Sequence, residues 1–328
     1  MRNYEDVIKL DKLKIVSQID YVEILDYSKF ECKLRDGYIS EYRITITNPY
    51  LLYVEIDCIE RELVIEFTGK ILGDDYPQLI NQNNIHVCLD HINQLGFCNL
   101  DIDKILTDAE VVKADVVLDI HYPNCYELSS AIRASVCNFK KYLTRNISDN
   151  LIIEKNVTTK SYKQRLTIYD KEAELQRASN RKFMDTLADR EKLQDYFKDK
   201  VRLELNLNSK EQLRRALNIP DTSLNSVLDS DANPIWSMLD KALVEVGDAT
   251  TGHSLSELKN LLLLEYCGGD LVKVEALLRQ HLSPKTHISK VMKPFRILAE
   301  QVDNNPKSIK TILRNLLLEI TILLGIFI

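Results

Sequence analysis

The stretch VRLELNLNSKEQLRRALNI, Val201–Ile219, changes period halfway along. Over Val201–Asn208 apolar residues alternate. Val201, Leu203, Leu205 and Leu207 take one face of a strand, and Arg202, Glu204 and Asn206 take the other. From Ser209 the pattern turns helical and opens with a Ser/Glu arrangement that resembles a capping box. Strands and helices mix before this point, and only helices are expected after it. The reading is α+β: a mixed domain over residues 1–208 with a mostly antiparallel sheet, followed by an all-α C-terminal domain over residues 209–328.

Working upstream, YISEYRITIT (Tyr38–Thr47), YLLYVEIDC (Tyr50–Cys58) and RELVIEFT (Arg61–Thr68) are rich in β-branched and aromatic residues and read as strands. Gly69, Gly73 and Pro77 break that pattern. A helix follows with Ile85, Leu89, Ile92 and Leu95 on one face. Ala109–His121 reads as a strand, and a helix is expected from Cys125 to about Leu143. Further strands are expected near Leu151–Val157 and Tyr162–Tyr169, then a highly charged helical run from Lys171 to Lys200.

The chain of 328 residues is long enough for two domains, and its sparse glycine and proline argue against disorder. Seven cysteines without a CxxC pair suit a reducing cytoplasm better than a zinc ribbon or a disulfide scaffold. The N-terminal MRNYEDVIKLDK is too charged for a signal peptide. The apolar tail LLLEITILLGIFI, Leu316–Ile328, is too short for a spanning helix and is interrupted by Glu319. It reads as a buried terminal element, and no membrane is expected as a partner. A net charge of −6 speaks against a uniformly basic nucleic-acid binder. Locally, however, Arg133–Lys182 carries twelve Lys/Arg against five acids. That is either a solvated basic face or a track for phosphates.

Parity gives the chemistry. In RLTIYDK, Leu166 and Ile168 point one way, while Arg165, Thr167, Tyr169 and Lys171 point the other. In DVVLDIH, Val116, Leu118 and Ile120 face the core, while Asp115, Asp119 and His121 share the opposite face. If these strands neighbour Val201–Asn208, one face gathers Tyr169, Asp115, Asp119, His121 and Glu204. A wet antiparallel face collects polar residues without any site. Two aspartates in one strand, however, ask for more of a reason, since Asp is a poor strand former. A tyrosine that attacks a phosphodiester must lose a proton with a reference pKa of about 10. A metal held by carboxylates and His can polarise the phosphate. A lysine beside the nucleophile can offset the charge that builds up there.

LTIYDKEAEL, followed by VRLELNLNSK, resembles the replication-initiation proteins of rolling-circle elements, in particular the gene II/X-type proteins of filamentous phages and related plasmid initiators, including Bacteroidetes-type ones. The likeness spans Arg61–Asp119 and Lys163–Lys210, about a third of the chain. It implies an HUH-endonuclease-like fold and a metal-dependent, site-specific DNA endonuclease and strand transferase. Such an enzyme nicks single-stranded or supercoiled origin DNA and keeps the 5′-phosphate on a tyrosine. It leaves a 3′-OH for a host polymerase, with a host helicase as a further partner. On this resemblance the nucleophile falls on Tyr169, with Lys171 beside it. Asp115, Asp119, His121 and Glu204 are the candidate ligands for Mg2+ or Mn2+, and Lys163, Arg165 and Arg202 are the candidate DNA contacts. One departure stands out: the superfamily's His-hydrophobic-His pair is missing, and His86 and His91 fall on different faces of their helix.

Tyr142 and Tyr162 are the rival nucleophiles. Two other functions fit the same residues. One is a non-catalytic, sequence-specific DNA-binding protein that uses the C-terminal helices, with Lys285, Lys290, Lys293 and Arg296 on phosphates. The other is a metal phosphoesterase in which water attacks and Tyr169 is structural.

Overall fold

The computed structural model describes residues 8–136, 141–159, 163–243, 270–283 and 287–303, with 259, 260, 263, 264 and 267. The strands are β1 Leu10–Gln18, β2 Val22–Ile24, β3 Glu31–Arg35, β4 Tyr38–Ile46, β5 Leu52–Asp57, β6 Glu62–Thr68, β7 Cys98–Leu100, β8 Glu110–His121, β9 Tyr142–Ile147, β10 Asn150–Lys155, β11 Arg165–Asp170 and β12 Lys200–Leu207. Ten of them form one antiparallel sheet in the order β3-β4-β5-β6-β1-β8-β12-β11-β10-β9, while β2 and β7 pair separately. The fold is α+β with a large antiparallel sheet, as the sequence predicts.

Alternation sets the two faces. Leu166 and Ile168 of β11 register with Leu205 and Leu203 of β12, and these with Val116 and Leu118 of β8. This apolar face continues through Leu10, Leu13 and Ile15 of β1 into Leu63, Ile65 and Phe67 of β6 as one core. Helices α1 (Ile85–Gln94), α2 (Ile102–Asp108) and α3 (Cys125–Ser135) lie on it. In α1 the face is Ile85, Cys88, Leu89 and Ile92, and Leu95 is exposed just past the helix end. The helix from Cys125 stops at Ser135, and Tyr142, expected near its end, starts β9 instead.

The charged run after β11 is broken into short pieces: α4 (Lys171–Leu175), α5 (Arg181–Met184) and α6 (Arg190–Phe197). Asp170 caps α4 by accepting from the Ala173 N–H at 2.9 Å, so the chain turns off the strand directly after Asp170. Together with the 3-10 segment Gly69–Gln78, these helices bury Tyr76, Leu79, Leu175, Phe183, Leu193 and Phe197 against Val117 on the polar face of the sheet. That face is therefore half covered rather than wet.

Only helices follow β12 among the described residues, as expected, but they divide into two groups. Helices α7 (Lys210–Leu217), α8 (Leu224–Leu228) and α9 (Pro234–Ala242) bury Leu213, Leu217, Val227, Ile235 and Leu239 in the sheet's own core. Helices α10 (Leu271–His281) and α11 (Ile288–Asp303) pack around a separate cluster of Val274, Met292, Phe295 and Leu298. Lys290, Lys293 and Arg296 are exposed on α11, while Lys285 and the apolar tail lie outside the described residues. No described helix is long and apolar enough to cross a membrane.

Candidate functional site

The strands β8, β12 and β11 are direct neighbours, so the predicted face assembles. Tyr169 registers with Arg202 and Arg202 with Asp119; Asn206 registers with Asp115. The side chains then separate into a covered half and an open half.

In the covered half Arg202 has no exposed surface. Its Nε and Nη2 each donate to Asp119 at 2.7 Å, so both oxygens of that carboxylate are taken. Its Nη1 donates to Asp11 at 3.2 Å and to the Tyr76 hydroxyl at 2.9 Å, and Tyr76 donates on to Asp11 at 2.8 Å. The guanidinium carbon also lies 5.3 Å from the centre of the Phe197 ring. Burial alone would lower the pKa of Arg202, but Asp119 and the other anionic partners raise it well above its usual value. Arg202 is thus a structural clamp, not a DNA contact, because a side chain sealed beneath Phe197 and Tyr76 cannot reach a phosphate. Asp119, expected as a metal ligand, is the other jaw of the clamp.

Lys171 is equally buried. Its ammonium donates to Glu174 at 2.6 Å and lies 5.8 Å from the centre of the Tyr169 ring. Burial first, and then the charge of Arg202, hold its pKa below the usual lysine range, partly offset by Glu174. The rings of Tyr76, Tyr169 and Phe197 surround the ammonium. His121 is exposed at the end of β8, opposite Lys200, apart from the other expected ligands. His86 is exposed, and Nδ1 of His91 lies 2.8 Å from the Ile71 carbonyl oxygen.

A hydrogen-bonded row crosses the strands from the covered half to the open half. Tyr169, 8% exposed, donates its hydroxyl to Glu204 Oε2 at 3.0 Å. Asn206 Nδ2 donates to Asp115 Oδ1 at 2.8 Å and to Glu204 Oε1 at 3.3 Å. Burial, then repulsion from Asp11 and Asp115, push the Glu204 carboxyl up to about 7. Burial raises Asp115 as well. Burial and then Glu204 raise the Tyr169 hydroxyl well above the usual tyrosine range.

The open half is a cleft of ≈ 420 Å³ lined by Lys12, Lys113, Asp115, Glu154, Lys163, Arg165, Asn206 and Asn208. Its basic wall is built on one buried acid. Glu154 is bonded by Arg145, by Arg165 Nε at 2.9 Å and by Lys163 at 3.2 Å. Burial would raise its pKa, but these three cations bring the carboxyl down to about 2. Three cations on one carboxylate leave a positive excess at the rim. Lys163 and Arg165 thus lie where a phosphate could meet them.

Asp115 and Glu204 suit a divalent cation by their chemistry: they are half-buried carboxylates that repel each other, with one neutral amide between them. The full predicted ligand set does not converge. Among the described residues no three His, Cys, Asp or Glu side chains form a group able to hold a metal. Sequence reasoning misses Asp11, Tyr76 and Lys12. Asp11 and Lys12 sit in a lysine-rich strand that gives no motif.

No curated protein and no solved structure matches this chain. Residues 85–225, less than half of the chain, match the family model for the N-terminal region of a phage replication-associated protein, the gene II protein. The matched segment contains Asp115, Tyr169, Arg202 and Glu204, and it supports the phage rolling-circle replication initiator family to which the motifs point.

Proposed function

We propose that the protein starts rolling-circle DNA replication by nicking a single strand held in the basic cleft, with Tyr169 as the nucleophile. The observation that carries this reading is the hydrogen bond from Tyr169 to Glu204, a carboxyl pushed up to about 7. A general base works best when its pKa lies near the working pH. Free ionisation of Tyr169 is disfavoured by burial, so its proton must pass to Glu204 Oε2 as the oxygen attacks.

The balance is simple. Tyr169 Oη bonds to phosphorus, the phosphorus–O3′ bond breaks, and O3′ leaves and takes up a proton from solvent water. The products are a 5′-phosphotyrosine and a free 3′-OH that a host polymerase can extend once a helicase opens the duplex. Lys163 and Arg165, with Lys12 and Lys113, neutralise backbone phosphates along the cleft. Asp115 and Glu204 are the residues that would hold Mg2+ or Mn2+, which would supply polarisation of the scissile phosphate. Lys171 and Arg202 act at one remove by fixing the ring of Tyr169 and the strand of Glu204.

Tyr162 is a second reading. It lies outside the described residues, and its neighbour Lys163 lines the cleft. The test is incubation with labelled single-stranded DNA of the protein's own element, with Mn2+ or chelator, run on a denaturing protein gel. A metal-dependent DNA–protein band that Tyr169→Phe abolishes and Tyr162→Phe keeps is the expected result. The reverse pattern would move the nucleophile to Tyr162. Nicking without an adduct would mean water attacks, and binding without nicking would leave a non-catalytic DNA-binding protein.

A further inference from the structure

Helix α7 begins where strand β12 ends, and its first turn carries a buried glutamine that reaches away from the helix. Ser209 caps the helix by accepting from the Gln212 N–H at 3.3 Å. In a capping box the residue three places after the cap turns its own side chain back over the helix start. Gln212 does this: its Oε1 accepts from the Asn208 N–H at 2.7 Å. Its Nε2 makes a bond that capping does not call for. It donates at 3.2 Å to the carbonyl oxygen of Lys163, 49 positions earlier in the chain. The side chain is sealed in place, since Gln212 is 3% exposed.

These two bonds fall where the sheet stops. The ladder between β11 and β12 runs from Asp170 and Val201 to Arg165 and Asn206. Two residues further along come Lys163 and Asn208. Here the Gln212 amide lies between the two backbones, accepting from one N–H and donating to the other carbonyl. A side-chain amide offers the same kinds of donor and acceptor as a peptide group, so it continues the ladder with a spacer one amide wide. Chemistry fixes its orientation, because a backbone N–H needs an oxygen and a backbone carbonyl needs an N–H. Lys163 and Asn208, the residues it bridges, both line the cleft. Lys163 is thereby held at both ends, its carbonyl by Gln212 and its ammonium by Glu154 at 3.2 Å.

We propose that Gln212 is a positioning residue for DNA: it sets the spacing between Lys163 and Asn208 at the edge of the cleft and holds Lys163 where it meets a backbone phosphate. The inference rests on the reading that the cleft holds single-stranded DNA. Gln212 is not part of the cleft lining, and its effect passes through the Lys163 backbone. It therefore bears on how tightly DNA is held and not on the attack by Tyr169.

The experiment measures the rate of tyrosine-adduct formation by the full chain, in Mn2+, against the concentration of a single-stranded oligonucleotide. The decisive variant is Gln212→Glu. Glutamate serves a capping box as glutamine does and keeps the acceptor for Asn208, but it replaces the donor to Lys163 with an oxygen. The DNA concentration at half-maximal rate should rise about three- to tenfold, the usual worth of one hydrogen bond, while the rate at saturating DNA stays at the wild-type value. Gln212→Met, which is uncharged and makes neither bond, should raise it as well, and either variant keeps the test open if the other does not fold. In a Lys163→Ala background, which weakens binding by itself, both substitutions should add little.

If Gln212→Glu titrates like wild type, the glutamine serves only to cap α7 and the proposal is overturned. It is overturned as well if the whole effect persists in the Lys163→Ala background, since the change then does not act through Lys163. A lower saturating rate with unchanged half-saturation would place Gln212 in the chemistry instead. Where wild type forms the adduct and the variants titrate with it, this proposal alone fails. If wild type binds no oligonucleotide, the reading of the cleft fails with it.

Discussion

The two halves of the sheet's polar face are built from the same strands and contain the same kinds of residue, yet they do different things. On one half Arg202, Asp119, Asp11, Tyr76 and Lys171 are roofed by aromatic and aliphatic side chains, and nearly every charge is spent on a partner inside the protein. On the other half Lys163 and Arg165 share one acid and keep their heads in water. What decides the role of a charge here is its cover, not its residue type. Tyr169, Glu204 and Asn206 sit on the border, and that is where the chemistry is proposed.

The comparison breaks most easily at Arg202. Arg202→Ala removes the cation from Asp119 and leaves Asp11 with the Tyr76 hydroxyl, and should cost about 3–5 kcal/mol. Urea unfolding measures this, and a drop in stability of under about 1 kcal/mol would show that the covered half is not structural.

Next comes Glu204. Its folded pKa of about 7 lies above its ordinary 4.5. The folded state therefore holds this proton more tightly than the unfolded one, and stability falls as pH rises from 4.5 through 7. Glu204→Gln should remove that decline, worth on the order of a few kcal/mol. Melting temperatures at about pH 5 and about pH 8 should converge in the variant and differ in wild type.

Tyr169→Phe removes one hydrogen bond and should cost only about 1 kcal/mol, so the disappearance of the adduct could not be blamed on unfolding. The smallest effect on stability is expected on the open side. Lys163→Ala and Arg165→Ala should each change it by less than about 1 kcal/mol, because two cations still pair with the buried Glu154 in either variant, while weakening binding to single-stranded DNA. A large drop in stability in either variant would erase the distinction between the halves.

Much of this is legible in the sequence, because alternation is a local property. The inward faces Leu166/Ile168, Leu203/Leu205 and Val116/Ile120 follow directly from spacing, and spacing puts Tyr169 and Glu204 on one face once their strands are neighbours. The roof is not legible. Tyr76 and Asp11 reach Arg202 across 126 and 191 positions of chain, and no periodicity reports on pairings of that range. Arg202 therefore reads as an outward cation, because nothing local marks a polar strand face as covered. The strand at Tyr142 escapes for the opposite reason: the lysines before it continue a helical pattern that its own residues do little to contradict.

The place of β1 in the sheet has a consequence for how the protein is made. It precedes the other described strands in the chain, yet it lies between β6 and β8, near the middle of the sheet. Strands β3–β6 complete one side of it from nearby sequence, but its other edge waits until Glu110–His121 has been synthesised. During that interval a nascent chain carries an unpaired strand lined with Leu10, Leu13 and Ile15. A fragment ending at Asp108 is expected to self-associate through that bare edge, and sedimentation of the fragment beside the full chain would reveal it. Translation speed between β1 and β8, rather than final stability, would then govern how much folded protein a cell obtains.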